Sequence, residues 1–296
     1  MKKYASMLLV FFLGLNIAIF LWNARYKNLE HTRPVEASET DKNTEQGSII
    51  SKSGESTLRN PFLVGSQKKP WQDLPFPLIK SLAMQGDPEA QWQLSLMYDY
   101  CFLYNLKPQS VQAQFEELGK LQPACKTRSK KIIKELQARC STVDDGRPIP
   151  TEAVTLWFEQ SAKQGNLTAK LRQATFSQEN KGPELVSYVE ELRKNPRPEA
   201  VFEMGVLARQ IEPYWSEPAT KAAFSESMYA EYAWQLAACR AGLDCSASSL
   251  VTHTMVYLGG CPYDDYEQYV LNETMTPSGR KKLEENIKII QENFLK

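Results

Sequence analysis

Apolar residues recur at three- and four-residue spacing through most of the chain after residue 75, and no segment alternates strictly as a half-buried β-strand does. This pattern predicts an all-α body. The expected helices are 76–85, 88–103, 109–120, 126–139, 151–164, 167–177, 183–194, 198–210, 218–240, 247–258, 263–272 and 277–295. Gly86, Gly165 and Gly242 stand where helix C-caps belong.

The N-terminal region differs from this body. Tyr4 to Trp22 is a run of 19 residues without a formal charge, which as a helix would span roughly 28 Å, enough to cross a bilayer core. We therefore predict one transmembrane signal-anchor within residues 1–27. A cleaved signal peptide is the alternative, although Leu21 to Arg25 offers no A-x-A cleavage site. Residues 28–70 are polar and predict a flexible linker of roughly 35 Å root-mean-square length.

Cysteine usage indicates the compartment of the helical body, residues 71–296. Six cysteines lie beyond the apolar run and none forms a C-x-x-C pair: Cys101, Cys125, Cys140, Cys239, Cys245 and Cys261. An even number beyond a membrane segment favours disulfides in an oxidising compartment. We expect a single-pass protein of the bacterial inner membrane with its C-terminal body in the periplasm, or a secreted or periplasmic protein if the signal is cleaved. The formal net charge is zero, which argues against nucleic acid as a partner.

Helix geometry limits the possible disulfides. Cys125 and Cys140 lie at opposite ends of one expected helix, roughly 22 Å apart, whereas a bridge needs Cα atoms within about 7 Å. Cys239 and Cys245 flank a short loop, so this pair is plausible. Cys101 could then pair with Cys125 or Cys140, and Cys140 is preferred because it closes an antiparallel excursion. Two cysteines, one in each half of the body, remain bridged together or free.

Three stretches repeat one helical phrase: Ala83–Tyr98, Ala153–Ala169 and Ala230–Gly242. Their glycines are 79 and 77 residues apart, too far for a single helix pair, so each period should hold two pairs. Assembled together, the phrases give A-x-x-x-W-x-x-x-x-A-x-x-G-[DN]-x-x-A-Q-x-x-L-x-x-M-Y. This pattern resembles the Sel1-like branch of the tetratricopeptide-type helical repeats. The segment Ala-Cys-Arg-Ala-Gly-Leu-Asp-Cys at 238–245, followed by Leu-Gly-Gly-Cys at 258–261, also looks like the tail of uncharacterised bacterial envelope proteins of this kind.

The resemblance is partial, because Lys170 and Gln173 depart from the pattern in the second phrase and Leu243 begins a departure in the third. It implies an irregular α-solenoid of Sel1/TPR-like helix hairpins that serves as an adaptor or scaffold for a protein or cell-wall partner. The expected contact surface is the concave inner face of the stack. Aromatic residues on the helix faces that could reach it, although they could also be core, are Trp92, Tyr98, Trp157, Phe158 and Trp234.

One predicted helix carries a concentration of positive charge beside apolar positions suited to packing. Its basic residues include Lys126, Arg128, Lys130, Lys131 and Lys134. They could contact anionic lipid headgroups, an acidic cell-wall polymer or an acidic partner, or form a solvated helix face.

Catalytic chemistry has little support in the sequence. There is no P-loop, G-x-G-x-x-G, H-E-x-x-H or G-x-S-x-G motif, and we assign no catalytic residue, metal ligand or cofactor. Ser249 and His253 would share a helix face, and Asp264, Asp265 and Glu267 cluster after Cys261, either as a site or as a helix start. Two alternatives to an adaptor therefore remain: a periplasmic hydrolase built on such scattered residues, and a structural spacer between membrane and wall.

Overall fold

The computed structural model describes residues 74–176, 182–225, 228–247, 249–252 and 263–296, which fall within one unit, Gly65–Lys296. Their helices are α1 (Phe76–Met84), α2 (Pro88–Leu106), α3 (Pro108–Leu121), α4 (Lys126–Cys140), α5 (Thr151–Lys163), α6 (Leu167–Phe176), α7 (Gly182–Lys194), α8 (Pro198–Ile211), α9 (Met228–Arg240), α10 (Tyr266–Tyr269) and α11 (Pro277–Phe294). These residues contain no β-strand, only an isolated bridge between Ser246 and Asp265. The expectation of an all-α body is confirmed.

The expected signal-anchor and linker, residues 1–27 and 28–70, lie outside the described residues. Among the residues that are described, no helix combines the length and apolar character needed to cross a bilayer.

The repeated glycines end three helices in the same way. Gly86, Gly165 and Gly242 have φ of 91°, 93° and 109°. Each glycine N–H donates to the carbonyl three residues back, at 3.0–3.1 Å, and the next N–H donates to the carbonyl five residues back. This is the Schellman motif, which favours glycine because L side chains rarely adopt positive φ. The internal repetition read from the sequence is therefore also a repetition of backbone structure.

The helices pack in a repeat-like order. Short connections join α1 to α2, α5 to α6 and α7 to α8 as hairpins, and α2 packs on α5, α6 on α8, α8 on α9 and α9 on α11. Helices α3 and α4 form an additional pair that packs on itself and on α2. In the part of the chain that the structure describes, four helices lie between the first and second glycine, α2 to α5, and four between the second and third, α6 to α9. The expectation of two helix pairs per period is confirmed.

Polar contacts show that α2, α6 and α8 lie side by side and run in the same direction. Glu89, near the start of α2, binds Asn166 at the start of α6 at 3.2 Å and also pairs with Arg197 just before α8. Further along, Arg172 of α6 binds the carboxylates of Asp99 of α2 at 2.6 Å and Glu203 of α8 at 3.4 Å. Contacts at two successive levels fix the register of the three helices.

The core has two main apolar clusters and a small one between them. One is built from the helices before α5 and centres on Ile79, Leu94 and Leu136; the other spans α6 to α11 and contains the fully buried Trp234. The final helix contributes its expected stripe, since Leu283, Ile287, Ile290 and Phe294 are all buried. Thr276 caps this helix by accepting a hydrogen bond from the N–H of Gly279 at 3.2 Å.

One expected helix is wrong in its extent. The sequence predicts a continuous helix over 218–240, but Pro218–Phe224 is a 3₁₀ segment and α9 begins only at Met228. Ser225 is extended, with φ −65° and ψ 155°. The break lets Phe224 enter the core against Trp234, whose indole Nε1 donates to the carbonyl of Ala223 at 2.7 Å.

Candidate binding groove

A strained turn follows α4. Asp144 and Asp145 have φ of 47° and 58°, and Gly146 continues the left-handed conformation at 71°. Left-handed backbone costs roughly 1–2 kcal/mol for each L residue, and aspartate is among the few types that visit it routinely. Such strain persists only where surrounding contacts hold it, and it concentrates at functional sites. This left-handed turn is therefore the first feature to consider for function.

The carboxylate of Asp144 anchors the turn to two distant helices. It pairs with the ammonium of Lys80 on α1 and accepts a hydrogen bond from the hydroxyl of Tyr98 on α2 at 2.8 Å. Burial alone would raise the pKa of Asp144, but the hydrogen bonds from Lys80 and Tyr98 outweigh it and the pKa lies below its ordinary value. Burial, followed by the bond to Asp144, raises the pKa of Tyr98, which stays a hydrogen-bond donor.

The backbone that leads into the left-handed turn is fixed by contacts with α2. The side-chain amide of Asn105 donates to the carbonyls of Cys140, at 3.2 Å, and Val143, at 3.4 Å. Cys140 is bridged to Cys101 of α2, and Val143 is completely buried. A disulfide, an amide clamp and a buried side chain therefore fix the residues that lead into the left-handed turn.

An open groove of about 540 Å³ lies between this turn and α1. We call it the α1 groove; its lining residues are Phe76, Pro77, Lys80, Ser81, Met84, Gln85, Thr142, Asp144, Asp145 and Arg147. The wall formed by α1 includes the apolar residues Phe76, Pro77 and Met84, and Met84 is 71% exposed. The other wall carries Asp145, whose carboxylate is 91% exposed and lies 3.6 Å from the guanidinium of Arg147.

The chemistry of the α1 groove suits binding. Formal charges of both signs balance along it, and hydroxyl and amide groups of Ser81, Gln85 and Thr142 can exchange hydrogen bonds with a ligand. Among the described residues that line it there is no histidine or cysteine. Several of these polar groups already form hydrogen bonds within the protein, since Gln85 donates to the hydroxyl of Ser81 at 3.1 Å and the hydroxyl of Thr142 donates to the carbonyl of Arg139 at 2.7 Å.

The structure locates all five aromatic residues expected at a contact surface. Trp92 and Phe158 lie in the small core cluster with Ala162 and Ala169, and Trp234 is completely buried in the larger core. Tyr98 is buried but supports the α1 groove through Asp144. Trp157 is half-buried. A partner could reach the four buried rings only after the helices rearranged, so their described role is packing, and their part in binding stays a prediction.

The basic helix is present as α4. Ser129, Ile132, Leu136 and Cys140 face inward, while Lys126, Lys130, Lys131 and Lys134 are exposed and Arg128 is half-exposed. Arg128 binds the carboxylate of Asp264 at 2.9 Å. The helix thus has one packed face and one basic face, as its apolar spacing indicates.

Two of the expected disulfides are confirmed. Cys101 and Cys140 are bridged with Cα atoms 5.2 Å apart, and Cys239 and Cys245 with Cα atoms 5.6 Å apart. Cys125 is also disulfide-bonded. Cys261 lies outside the described residues.

The residues considered for catalysis have structural contacts where they are described. Ser249 bonds to the hydroxyl of Thr252 at 3.2 Å, while His253 lies outside the described residues. Asp265 caps α10 by accepting from the N–H of Gln268 at 2.7 Å, which confirms the interpretation of this cluster as a helix start. Glu267 binds Arg240 at 2.6 Å. Among described residues no group of three histidine, cysteine or acidic side chains could hold a metal ion.

None of the residues that line the α1 groove is predicted from the sequence as a site residue, although Tyr98, which binds Asp144 from behind, is. Asp145-Gly146 is a turn signal, but its partner Lys80 lies 64 residues earlier than Asp144 in the chain.

Comparisons with known proteins add no relative: no family model, no curated protein and no solved structure matches this chain.

Proposed function

We propose that this chain is a membrane-anchored helical-repeat adaptor of Sel1-like type whose body, on the periplasmic side, binds an extended segment of a partner protein in the α1 groove. The observation that carries the proposal is the left-handed turn at Asp144 and Asp145, which is held in a costly conformation at the edge of an accessible groove. Binding sites formed by rigid elements lose less conformational entropy when the ligand arrives.

Repeat architecture supports an adaptor role. Three helices end in the same Schellman motif and successive hairpins pack in order, as they do in proteins whose repeats shield one another and present a surface to partners. The Sel1-like resemblance adds the class of function, assembly of protein complexes.

The disulfides support a location of the body outside the cytosol. Two bridges join described cysteines, and structural disulfides of this kind persist in oxidising compartments. Together with the expected span at residues 4–22, they favour a body held outside the cytosol by an N-terminal anchor.

Binding is favoured over hydrolysis because the described carboxylates once considered for catalysis are engaged elsewhere. Asp264 pairs with Arg128, and Glu267 pairs with Arg240. A general acid or base must be able to reach a substrate proton.

Site-specific photo-crosslinking in cells tests the proposal. A benzoylphenylalanine at Met84, on the rim of the groove, should trap a discrete protein partner. The same residue at Met228, a methionine 52% exposed on α9, is the matched control and should not trap that partner.

A charge reversal makes the test specific to the groove. Asp145→Arg places a cation where the exposed carboxylate stood and should remove the Met84 adduct. Glu285→Arg makes the same change at an exposed position of α11 and should leave the adduct intact. Equal trapping from Met84 and Met228, or an adduct that survives Asp145→Arg, would contradict the proposal.

A further inference from the structure

The additional helix pair carries a second surface, distinct from the α1 groove. Helices α3 and α4 pack on each other and on α2, and the bridge from Cys140 to Cys101 fixes the end of α4. With its apolar residues turned inward, α4 presents its basic residues to solvent along its full length. Six of its 15 residues are basic and one is acidic.

Four of these six cations form no ion pair with a carboxylate of the described residues, and one of the four, Arg139, instead lies over an aromatic ring. Arg128 pairs with Asp264, Lys131 lies 3.9 Å from Glu135, and the guanidinium of Arg139 lies 4.9 Å from the centre of the Tyr100 ring. No ion pair between described residues involves the remaining lysines of α4, which are Lys126, Lys130 and Lys134.

The spacing of these three lysines places them in one line along α4, which we call the lysine stripe. Lys126, Lys130 and Lys134 recur every four residues and therefore lie along one side of the helix. Like charges at this spacing repel one another and oppose helix formation. The arrangement does not help the isolated chain to fold, but it adds attraction toward any extended anionic surface.

An exposed apolar residue lies where α3 ends, next to the start of α4. Leu121, the last residue of α3, is 64% exposed. Lys120, which pairs with Glu117 at 3.2 Å, precedes it, and the start of α4 lies close by, since a Cβ on Gly119 would stand 3.2 Å from the Cα of Lys126. An exposed leucine between lysines is the combination that inserts an apolar side chain at the headgroup boundary while cations bind the lipid phosphates.

We propose that the lysine stripe of α4 and Leu121 dock the body on an anionic phospholipid surface. This inference concerns a different surface from the proposed partner site and stands without it. A lipid surface is favoured over an acidic protein because the stripe is regular and ends in an exposed apolar residue. The sequence also predicts a membrane span at 4–22 and a linker over 28–70, and a linker of that length, with a reach of roughly 35 Å, would hold the body close to a bilayer.

The expected size of the effect on membrane docking follows from the number of lysine charges removed. Each lysine near an anionic surface contributes about 1 kcal/mol, which is about fivefold in the ratio of docked to undocked bodies. Removing three lysine charges should therefore lower this ratio on the order of a hundredfold.

The test uses the full-length chain reconstituted into two kinds of vesicle: equimolar phosphatidylglycerol and phosphatidylcholine, and phosphatidylcholine alone. A photo-crosslinker at Leu121 should form lipid adducts only in the anionic vesicles. In these vesicles Lys126, Lys130 and Lys134 should react more slowly with an acetylating reagent than Lys288 of α11, which serves as an internal reference. High salt should remove both effects.

Two matched triple variants complete the test. Lys126→Gln, Lys130→Gln and Lys134→Gln together should abolish the lipid adduct. The same three charges removed from α11 by substitution of Lys281, Lys282 and Lys288 with glutamine should leave it unchanged. Equal adducts in both vesicles, or equal loss in both triple variants, would overturn the proposal. So would protection of the stripe by soluble polyglutamate without protection by the anionic vesicles, because the stripe would then bind an acidic polymer.

Discussion

Removal of the Cys101–Cys140 bridge should destabilise the protein more than removal of the Cys239–Cys245 bridge. The matched perturbations are two double variants, Cys101→Ala with Cys140→Ala, and Cys239→Ala with Cys245→Ala. Each deletes one complete bridge and leaves no new unpaired thiol. The second variant is the control for the loss of a disulfide as such.

The expected difference follows from the lengths of the two loops. The sequence separations are 39 and 6 residues. In the chain-entropy account, loops of these lengths are worth about 4 and about 2 kcal/mol of stability. Cys101 and Cys140 are also completely buried, so that alanine at these positions removes packed sulfur and adds to the larger loss. The first variant should therefore lose about 2 kcal/mol more than the second.

Urea unfolding of the purified full-length chain, followed by far-ultraviolet circular dichroism, measures both losses. Hydrogen exchange then shows where the first variant loosens, and we expect faster exchange in α4 and in residues 143–149 but not in α11. Equal losses in the two variants, or a larger loss for the shorter loop, would refute the reasoning. Uniformly faster exchange would show that the bridge does not act locally on the pair α3 and α4.

Three further outcomes are expected. Gly205→Ala should lower the free energy of unfolding by about 1–3 kcal/mol, because the new Cβ would stand 2.7 Å from a carbonyl oxygen of α9. The control Gly165→Ala, whose new Cβ would have no atom within 4 Å, should cost only the strain of a left-handed alanine, about 1 kcal/mol. Similar losses for the two variants in urea unfolding would contradict the prediction. The ionised Asp144, with its lowered pKa, stabilises the fold above the unfolded pKa of about 3.9, and this contribution is lost as the pH falls through the folded pKa. The stability deficit of Asp144→Asn should therefore shrink on acidification, and a constant deficit would refute the assignment. Peptide mapping without reduction should link Cys125 to Cys261, the pair left by the two assigned bridges and supported by the contact of Arg128 with the segment after Cys261; any other partner would exclude it.

Local signals predicted most helices, because their boundaries depend on residues close in the chain. Gly86 ends α1, Asp87 caps α2 by accepting from the N–H of Ala90 at 2.7 Å, and Thr276 caps α11. Each of these contacts spans three to five residues, so both partners lie within one short segment of the sequence. The break before α9 could not be predicted in this way, since it depends on Phe224 packing against rings of other segments.

The candidate site was less predictable for the same reason. The aromatic faces of Trp92 and Phe158 suit a contact surface and a core equally well, and only the stacking of α2, α5 and α6 decides that they are buried. The left-handed turn depends on Lys80 and Tyr98, which are far from Asp144 in the chain. A local signal at Asp145-Gly146 indicates a turn but cannot indicate a groove.

The two repeat periods are nearly equal in length but use their additional helices differently. In the second period, α8 belongs to the stack and packs on both α6 and α9, with Gly205 permitting the close approach to α9. In the first, α3 and α4 stand apart and pack on α2. Both proposed surfaces involve this first pair, since the lysine stripe lies on α4 and the α1 groove is formed by the turn that follows α4. The stack of α2, α5, α6, α8 and α9 can therefore serve as a support, while the exposed face of α4 and the turn that follows it carry the proposed binding groups.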